Sequence, residues 1–362
     1  MGDPVSGDLL SIDYHKRYSQ VEAVDKGGRT IARARLANKE EVLKRWFSSL
    51  PESCEVVIEA CWNWQLMYEL LEGMDEVKRI HVANPCKVKA IAEARIKTDT
   101  IDASTLAHLL RANLIPSVYV PSEDTRRKKE ILRQRIFLVR MGTRMKNRLH
   151  ALIERYRISM PSLSDPFGKT GLSYLKSLRL PPPGDLLLRQ DIELLEALTL
   201  LIKEAEREVI RLFSGDERYE IARSLPGLGP ILSGVVVTEI DRIERFPNPR
   251  KLLSYAGLIP TTYASGGRVY HGHLIKMSNK WLRWAMIEAS WTAQRCSVYC
   301  QTYFRRYLHK GHNTAICVLA RRLLEILWIC LRRKRYYEER VTKFFYFPLP
   351  SQNYSHQGSC QV

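Results

Sequence analysis

The chain has 362 residues and carries 57 Lys+Arg against 39 Asp+Glu, a formal charge of +18. That length allows two or three domains with their own cores, and 45% hydrophobic residues with seven tryptophans exclude an intrinsically disordered chain. So positive a charge points to a polyanionic partner, nucleic acid first and an acidic membrane second.

The membrane alternative is weak. No stretch reaches ~18 uninterrupted apolar residues, and the best run, Leu323 to Leu331, is short and contains Glu325. Met1 to Leu10 carries Asp3 and Asp8 without a basic start, unlike a secretory signal, so a cytoplasmic location is expected. The eight cysteines (54, 61, 86, 296, 300, 317, 330 and 360) form no C-x-x-C pair, and no histidine stands at zinc-ligand spacing to Cys296 and Cys300. They read as buried reduced thiols.

Three strands are predicted between residues 9 and 36: Leu9 to Asp13, Tyr18 to Val24, and Arg29 to Leu36 after a Lys26-Gly27-Gly28 turn. Asn38 is predicted to cap a helix with Leu43, Trp46, Phe47 and Leu50 on one face. Glu55 to Ala60 reads as a central strand, Trp64 to Leu71 as a helix, Arg79 to Ala83 as a short strand, and Pro85 as a helix start. Three strands followed by helix, strand, helix, strand and helix make a mixed α/β domain, the order of the ribonuclease-H-like fold.

From about Asp124 the character changes. Residues 125–157 contain twelve Lys/Arg and two Glu, a net +10 of the whole +18. Ile131, Leu138, Met145 and Leu152 recur every seven residues, with Met141 and Leu149 filling the second seam, so a long coiled-coil-like helix is predicted. A Pro/Gly/Ser-rich connector at 160–184 leads to a second long helix, Asp185 to Phe213, seamed by Ile192, Leu195, Leu198, Ile202, Ala205, Val209 and Leu212. The two seams fit an antiparallel hairpin, a dimerisation stalk, or both. Residues 215–340 read as a compact helical region and 341–362 as a tail.

The basic helix carries Arg126, Arg127, Lys128, Lys129, Arg133, Arg135, Arg140, Arg144, Lys146 and Arg148. Charges of one sign repel unless a polyanion answers them. The helix is therefore read as a nucleic-acid-binding surface that contacts backbone phosphates, and not as a merely solvated face.

Four acids stand out by position: Asp13 and Glu59 at strand ends, and Asp99 with Asp102, one helical turn apart, at a helix start. Gathered carboxylates repel, and two Mg²⁺ ions would remove that cost while serving phosphoryl transfer. The alternative is two solvated strand ends and an N-cap. Farther on, Leu225-Pro226-Gly227-Leu228-Gly229-Pro230 resembles a helix-hairpin-helix turn, in which Gly227 and Gly229 let the backbone approach a phosphate; an ordinary helix–helix turn has the same pattern. Ser265 precedes Gly266-Gly267-Arg268 and by itself reads as a turn. His271 and His273 lack a third ligand and read as loop or nucleic-acid contacts.

Ser11-Ile12-Asp13-Tyr14-His15-Lys16, Val57-Ile58-Glu59-Ala60 and Lys97-Thr98-Asp99-Thr100-Ile101-Asp102-Ala103 resemble the three acidic motifs of the DEDD-type insertion-sequence transposases, the bridge-RNA-guided recombinases whose relatives include the pilin-gene invertases. Ser254-Tyr255-Ala256-Gly257-Leu258-Ile259-Pro260, the Ser265-Gly266 pair, the basic loop through Lys276 and the Leu282-Arg283 helix resemble the family's C-terminal element, and Lys310 to Ala315 fits its later pattern. Ser11 and Ser278 stand where members commonly carry Gly.

The resemblance implies α/β plus all-α architecture. A RuvC-like, RNase H-like mixed-sheet domain (1–120) is followed by the basic long-helix region (121–214), a helical C-terminal transposase domain (215–340) and the tail. It implies that Asp13, Glu59, Asp99 and Asp102 bind Mg²⁺, with Mn²⁺ as a substitute, and that Ser265 is the recombination nucleophile. Arg268, Lys276 and Arg283 are candidates to neutralise the phosphate, each equally readable as a solvated cation. The implied partners are target and donor double-stranded DNA, a structured guide RNA, and further copies of the chain as a dimer or a synaptic tetramer. A nucleoid-associated state on DNA goes with them. Two other functions remain open on the residues: a junction-resolving metal nuclease and a non-catalytic nucleic-acid-binding protein.

Overall fold

Alternating apolar positions dictate the first sheet, and a computed structural model of the protein shows how its strands pair. The structure describes residues 8–91, 99–265 and 268–339; for residues 90, 99–102, 262–265, 268, 269 and 271 it describes the backbone alone. The chain divides into two compact units, Met1–Pro121 and Ser122–Val362.

In the first unit the strands are β1 (Asp8–Tyr14), β2 (Tyr18–Val24), β3 (Thr30–Ala37), β4 (Cys54–Glu59) and β5 (Val77–Ala83), with helices α1 (Glu40–Phe47), α2 (Trp64–Glu72), α3 (Pro85–Ile91) and α4 (Asp99–Arg111). The sheet order is β3-β2-β1-β4-β5. β1, β2 and β3 pair antiparallel, while β4 runs parallel to β1 and β5 parallel to β4. This mixed sheet is the arrangement expected of an RNase H-like domain.

Side chains alternate between two cores, as the period of two requires. Leu10, Ile12, Val56 and Ile58 pack with Leu43 and Phe47 of α1 and Met67 and Leu71 of α2. Leu9, Val57 and Ala83 face the other way and pack with Val88 of α3 and Leu106, Ala107 and Leu110 of α4. The predicted Asn38 cap is not formed. Lys39 occupies the N-cap position of α1, and Asn38 instead donates to the His15 carbonyl at 2.6 Å and accepts from Ser19 Oγ at 2.6 Å. A residue with strong capping propensity is used here to brace the turn end of the β1–β2 hairpin.

In the second unit, α5 (Glu123–Arg155) and α7 (Gly184–Leu212) pack along their seams, Leu138, Met145, Leu149 and Leu152 against Leu188, Ile192, Leu195 and Leu198. The seams therefore meet within one chain, as a hairpin. The connector between them is not structureless: α6 (Lys169–Ser177) lies within it and buries Leu175 in the same core. The helices α8 (Glu217–Arg223), α9 (Pro230–Ile240), α10 (Pro249–Ala256), α11 (Lys280–Cys296), α12 (Val298–Tyr307) and α13 (His312–Arg333) follow. They share one core with Leu132 and Ile136 of α5 and with Val209 and Phe213 at the end of α7. This mostly helical region also holds a hairpin that the sequence did not predict, β6 (Pro260–Ser265) and β7 (Arg268–Leu274).

Among the described cysteines all are free. Burial pushes the Cys54 thiol up to about 12 and the Cys300 thiol up to about 11, as expected of core thiols. Cys86 and Cys296 are exposed, against the expectation of burial. No helix of the described residues is long and apolar enough to cross a membrane.

Gly227 lies in the α8–α9 turn at φ +82°, and a Cβ there would run into the Ala289 carbonyl of α11. The turn thus needs glycine for helix packing. Gly229 is exposed with open space around it. Gly227→Ala should cost ~2–4 kcal/mol of unfolding free energy, and Gly229→Ala less than ~1 kcal/mol. Urea denaturation of the two variants measures the difference; equal stabilities would refute the packing role.

Candidate active site

Asp13 and Glu59 are brought together by strand pairing. The parallel register of β1 and β4 aligns Ile12 with Ile58, so Asp13 and Glu59 follow as the next residues of the two strands. Both share the face of Leu9 and Val57, the α4 side of the sheet. α4 runs against β1. Its last residue, Arg111, lies against Gly28 in the β2–β3 turn, at the opposite end of the strand from Asp13. Its first turn, with Asp99 and Asp102, therefore comes to the carboxyl ends of β1 and β4.

One hydrogen bond fixes that meeting. Ser11 is fully buried, and its hydroxyl donates to the Ala103 carbonyl at 2.6 Å. It ties β1, two residues before Asp13, to α4, one residue after Asp102. Sequence reasoning registered Ser11 only as a departure from glycine. The one signal available was a hydroxyl in an otherwise apolar strand.

Around Asp13, His15 Nε2 lies 3.1 Å from its Oδ2, and the His15 ring stacks on Tyr18 with centroids 4.7 Å apart. Cys61, in the turn after β4, lies 3.8 Å from the Tyr14 carbonyl. Burial raises its thiol pKa, and the negative charges of Glu59 and Asp13 raise it further. The carboxylates thus set a negative potential at this edge. Their oxygens suit a hard divalent cation. The side chains of Asp99 and Asp102 lie outside the described residues, and among the described ones no group of three metal-ligating side chains occurs.

In the second unit, Ser265 is the last residue of β6 and pairs with Arg268, the first of β7. Gly266 and Gly267 lie outside the described residues, as do the side chains of Ser265, Arg268 and His271. The base of this hairpin is pinned. Gly257 ends α10 at φ +67°, the Ile275 amide donates to the Ile259 carbonyl at 3.2 Å, and the Asn279 amide donates to the Tyr255 carbonyl at 2.7 Å. Asn279 also caps α11 and donates through Nδ2 to Glu239 at 2.8 Å and to the Tyr255 hydroxyl at 3.0 Å.

Arg283, a phosphate candidate from the sequence, is engaged inside the protein. It donates to the Ala256 carbonyl at 3.2 Å, the Ile275 carbonyl and Ser278 Oγ. Its guanidinium and Ser278 together hold the loop after β7. Lys276 is exposed.

The basic helix also differs from the sequence picture. Arg126 and Lys128 are buried. Six of the ten cations face carboxylates of the same chain: Arg127 with Glu123, Lys128 with Asp124 at 2.9 Å, Lys129 and Arg133 with Glu239 at 3.1 and 3.5 Å, Arg135 with Glu206 at 2.5 Å, and Arg148 with Asp191 at 2.8 Å. The premise that only a polyanion can answer these charges is thereby corrected. Arg133, Arg140 and Arg144 remain exposed and share a face with Phe137, which is also exposed. Arg133 and Arg140 each lie 5.6 Å from the Trp281 ring. These aromatics escaped the sequence reading, which counted charge alone.

Ser11→Ala removes the β1–α4 bond without leaving a buried donor unpaired. It should lower the unfolding free energy by ~1 kcal/mol, read from equilibrium denaturation. An unchanged stability would refute the tether.

Comparison with known proteins places two segments of the chain in described transposase families. The description of the DEDD transposases of the IS110 type matches residues 10–158, and that of the transposase IS116/IS110/IS902 family matches residues 219–306. The transposase for insertion sequence element IS1328 of Yersinia enterocolitica is 24% identical over 333 residues, 89% of this chain and 96% of that protein. A probable family 20 transposase of Pseudomonas aeruginosa is 25% identical over 339 residues, covering 91% and 98%. The transposase for IS1111A of Coxiella burnetii is 24% identical over 339 residues, 91% of each. With its acidic strand ends in the first matched segment and its pinned hairpin in the second, the chain belongs to the IS110/IS116/IS902 family of DEDD insertion-sequence transposases.

Proposed function

We propose that this transposase cleaves and rejoins DNA strands by serine-dependent phosphoryl transfer, with a divalent metal held by Asp13, Glu59, Asp99 and Asp102 and with Ser265 as nucleophile. The observation that carries the reading is the convergence of β1, β4 and the first turn of α4 at one sheet edge, held by the Ser11–Ala103 bond. Mg²⁺, or Mn²⁺ in its place, would supply charge neutralisation at the scissile phosphate and favour the attacking and leaving oxygens.

The chain's own residues do the rest. Ser265 Oγ forms a bond to phosphorus as one backbone P–O bond breaks; the serine proton is lost and the released DNA oxygen gains one. The phosphoester is conserved in the protein link, so attack by another DNA hydroxyl reseals a strand and restores the serine without an external energy source. The position of Ser265 at a hairpin end whose base is pinned by Gly257, Asn279 and Arg283 supports this role. In line with the family resemblance, the acids and the serine that act together come from neighbouring protomers of a dimer or tetramer, and a structured RNA guides the choice of DNA. Arg133, Arg140, Arg144, Lys146, Lys276 and Arg268 are the cations assigned to nucleic-acid backbone.

The decisive experiment uses purified protein with co-purified RNA on a suicide DNA substrate. A covalent protein–DNA species should form, and Ser265→Ala should abolish both it and strand joining. Cleavage that persists in Ser265→Ala would instead fit a junction-resolving hydrolase. Asp102→Asn should bring cleavage below detection, and full activity in that variant would remove the acids from the mechanism. If six or more phosphates are engaged, DNA affinity should fall ~10³-fold or more between 50 and 200 mM salt. A shallow slope in a filter-binding titration would contradict such broad backbone contact.

A further inference from the structure

Trp62 is 91% exposed, the most exposed of the large hydrophobic side chains among the described residues. It lies in the short turn between β4 and α2, three residues after Glu59 and directly after Cys61. That turn is anchored. The Ala60 amide donates to the Ala83 carbonyl at 2.9 Å, and Cys61 Sγ approaches the Tyr14 carbonyl at 3.8 Å. The second contact sets this turn beside the β1–β2 turn, whose Lys16 and Arg17 are both exposed. The rim of the acidic edge thus carries an uncovered indole on one turn and two cations on the adjacent one.

An exposed indole next to paired cations matches single-stranded nucleic acid, in which unpaired bases offer π-faces and the backbone offers charge. A casual surface tryptophan has no reason to sit on an anchored turn at this edge. We propose that Trp62 stacks on an unpaired nucleobase of the DNA strand entering the acidic edge, with Lys16 and Arg17 on the adjoining phosphates. This rests on the reading of that edge as the DNA-cleaving site. The role is positioning: stacking holds a strand opened from its duplex so that its phosphate stays at the carboxylates. The ligand class is an unpaired DNA base of any identity, because stacking does not read hydrogen-bond edges.

The test compares binding of a 20-nucleotide oligo-dT with an abasic 20-mer that has the same phosphates, by fluorescence anisotropy on the full-length protein. Trp62→Ala should weaken oligo-dT binding by about 5- to 100-fold and leave binding of the abasic strand unchanged. Trp62→Phe should restore most of the loss. Lys16→Ala with Arg17→Ala should weaken both strands alike and flatten the salt dependence. Equal loss on both strands in Trp62→Ala, or no loss on oligo-dT, overturns the proposal. Asp102→Asn separates this inference from the functional reading. If that variant still cleaves while Trp62→Ala loses base-dependent binding, the stacking role stands and the metal site does not. If Asp102→Asn is inactive and Trp62→Ala binds normally, the reverse holds.

Discussion

Parallel pairing of β1 with β4 is the constraint on which the acidic edge depends. Once Ile12 aligns with Ile58, the residues that follow, Asp13 and Glu59, are fixed as neighbours on one face. The chain places two carboxylates side by side at the point where each strand ends and leaves the core. The apolar contacts of Leu9 and Val57 with Leu106 and Leu110 then bring α4 onto that face. The Ser11 hydroxyl sets where along the strand the helix starts. Burial of apolar surface is non-directional, so it fixes which face α4 covers. The hydrogen bond adds the register.

A different balance governs the long basic helix. Its charge is compensated in part within the chain, and Glu239 shows how. This buried carboxylate of α9 receives Lys129 and Arg133 from α5 and Asn279 from the cap of α11. A buried carboxylate without such partners would be costly, and with them it joins three helices at the base of the β6–β7 hairpin. The same contact couples the basic helix to the serine-bearing hairpin. Cations that sum to a large charge in the sequence thus divide into structural ones, such as Lys128 and Lys129, and outward ones, such as Arg140 and Arg144.

Much of this was legible beforehand. Strands with clear alternation and helices with seven-residue seams announced themselves, because periodicity is local. The acids at strand ends and the family motifs marked the candidate residues of the proposed site. Three features were not legible. Asn38 has the chemistry of a cap, yet its amide serves the β1–β2 hairpin, because two partners 19 and 23 residues away in sequence compete for it. β6 and β7 were read as part of a helical region because Thr261, Thr262, Ser265 and the following glycines give little apolar alternation. α6 was hidden by the prolines and glycines on either side of it.

The sequence by itself determined most of the element types, and it marked four acids and one serine as candidates for the proposed chemistry. These depend on spacing and residue type, which a chain carries in one dimension. Only the tertiary structure decided which charges are answered within the protein and which face outward. It also made Arg283 a loop clamp and Gly227 a packing glycine, and left Trp62 uncovered in the turn after β4. Each of those outcomes depends on a partner distant in sequence, or on the lack of a covering surface, and neither is written in local pattern.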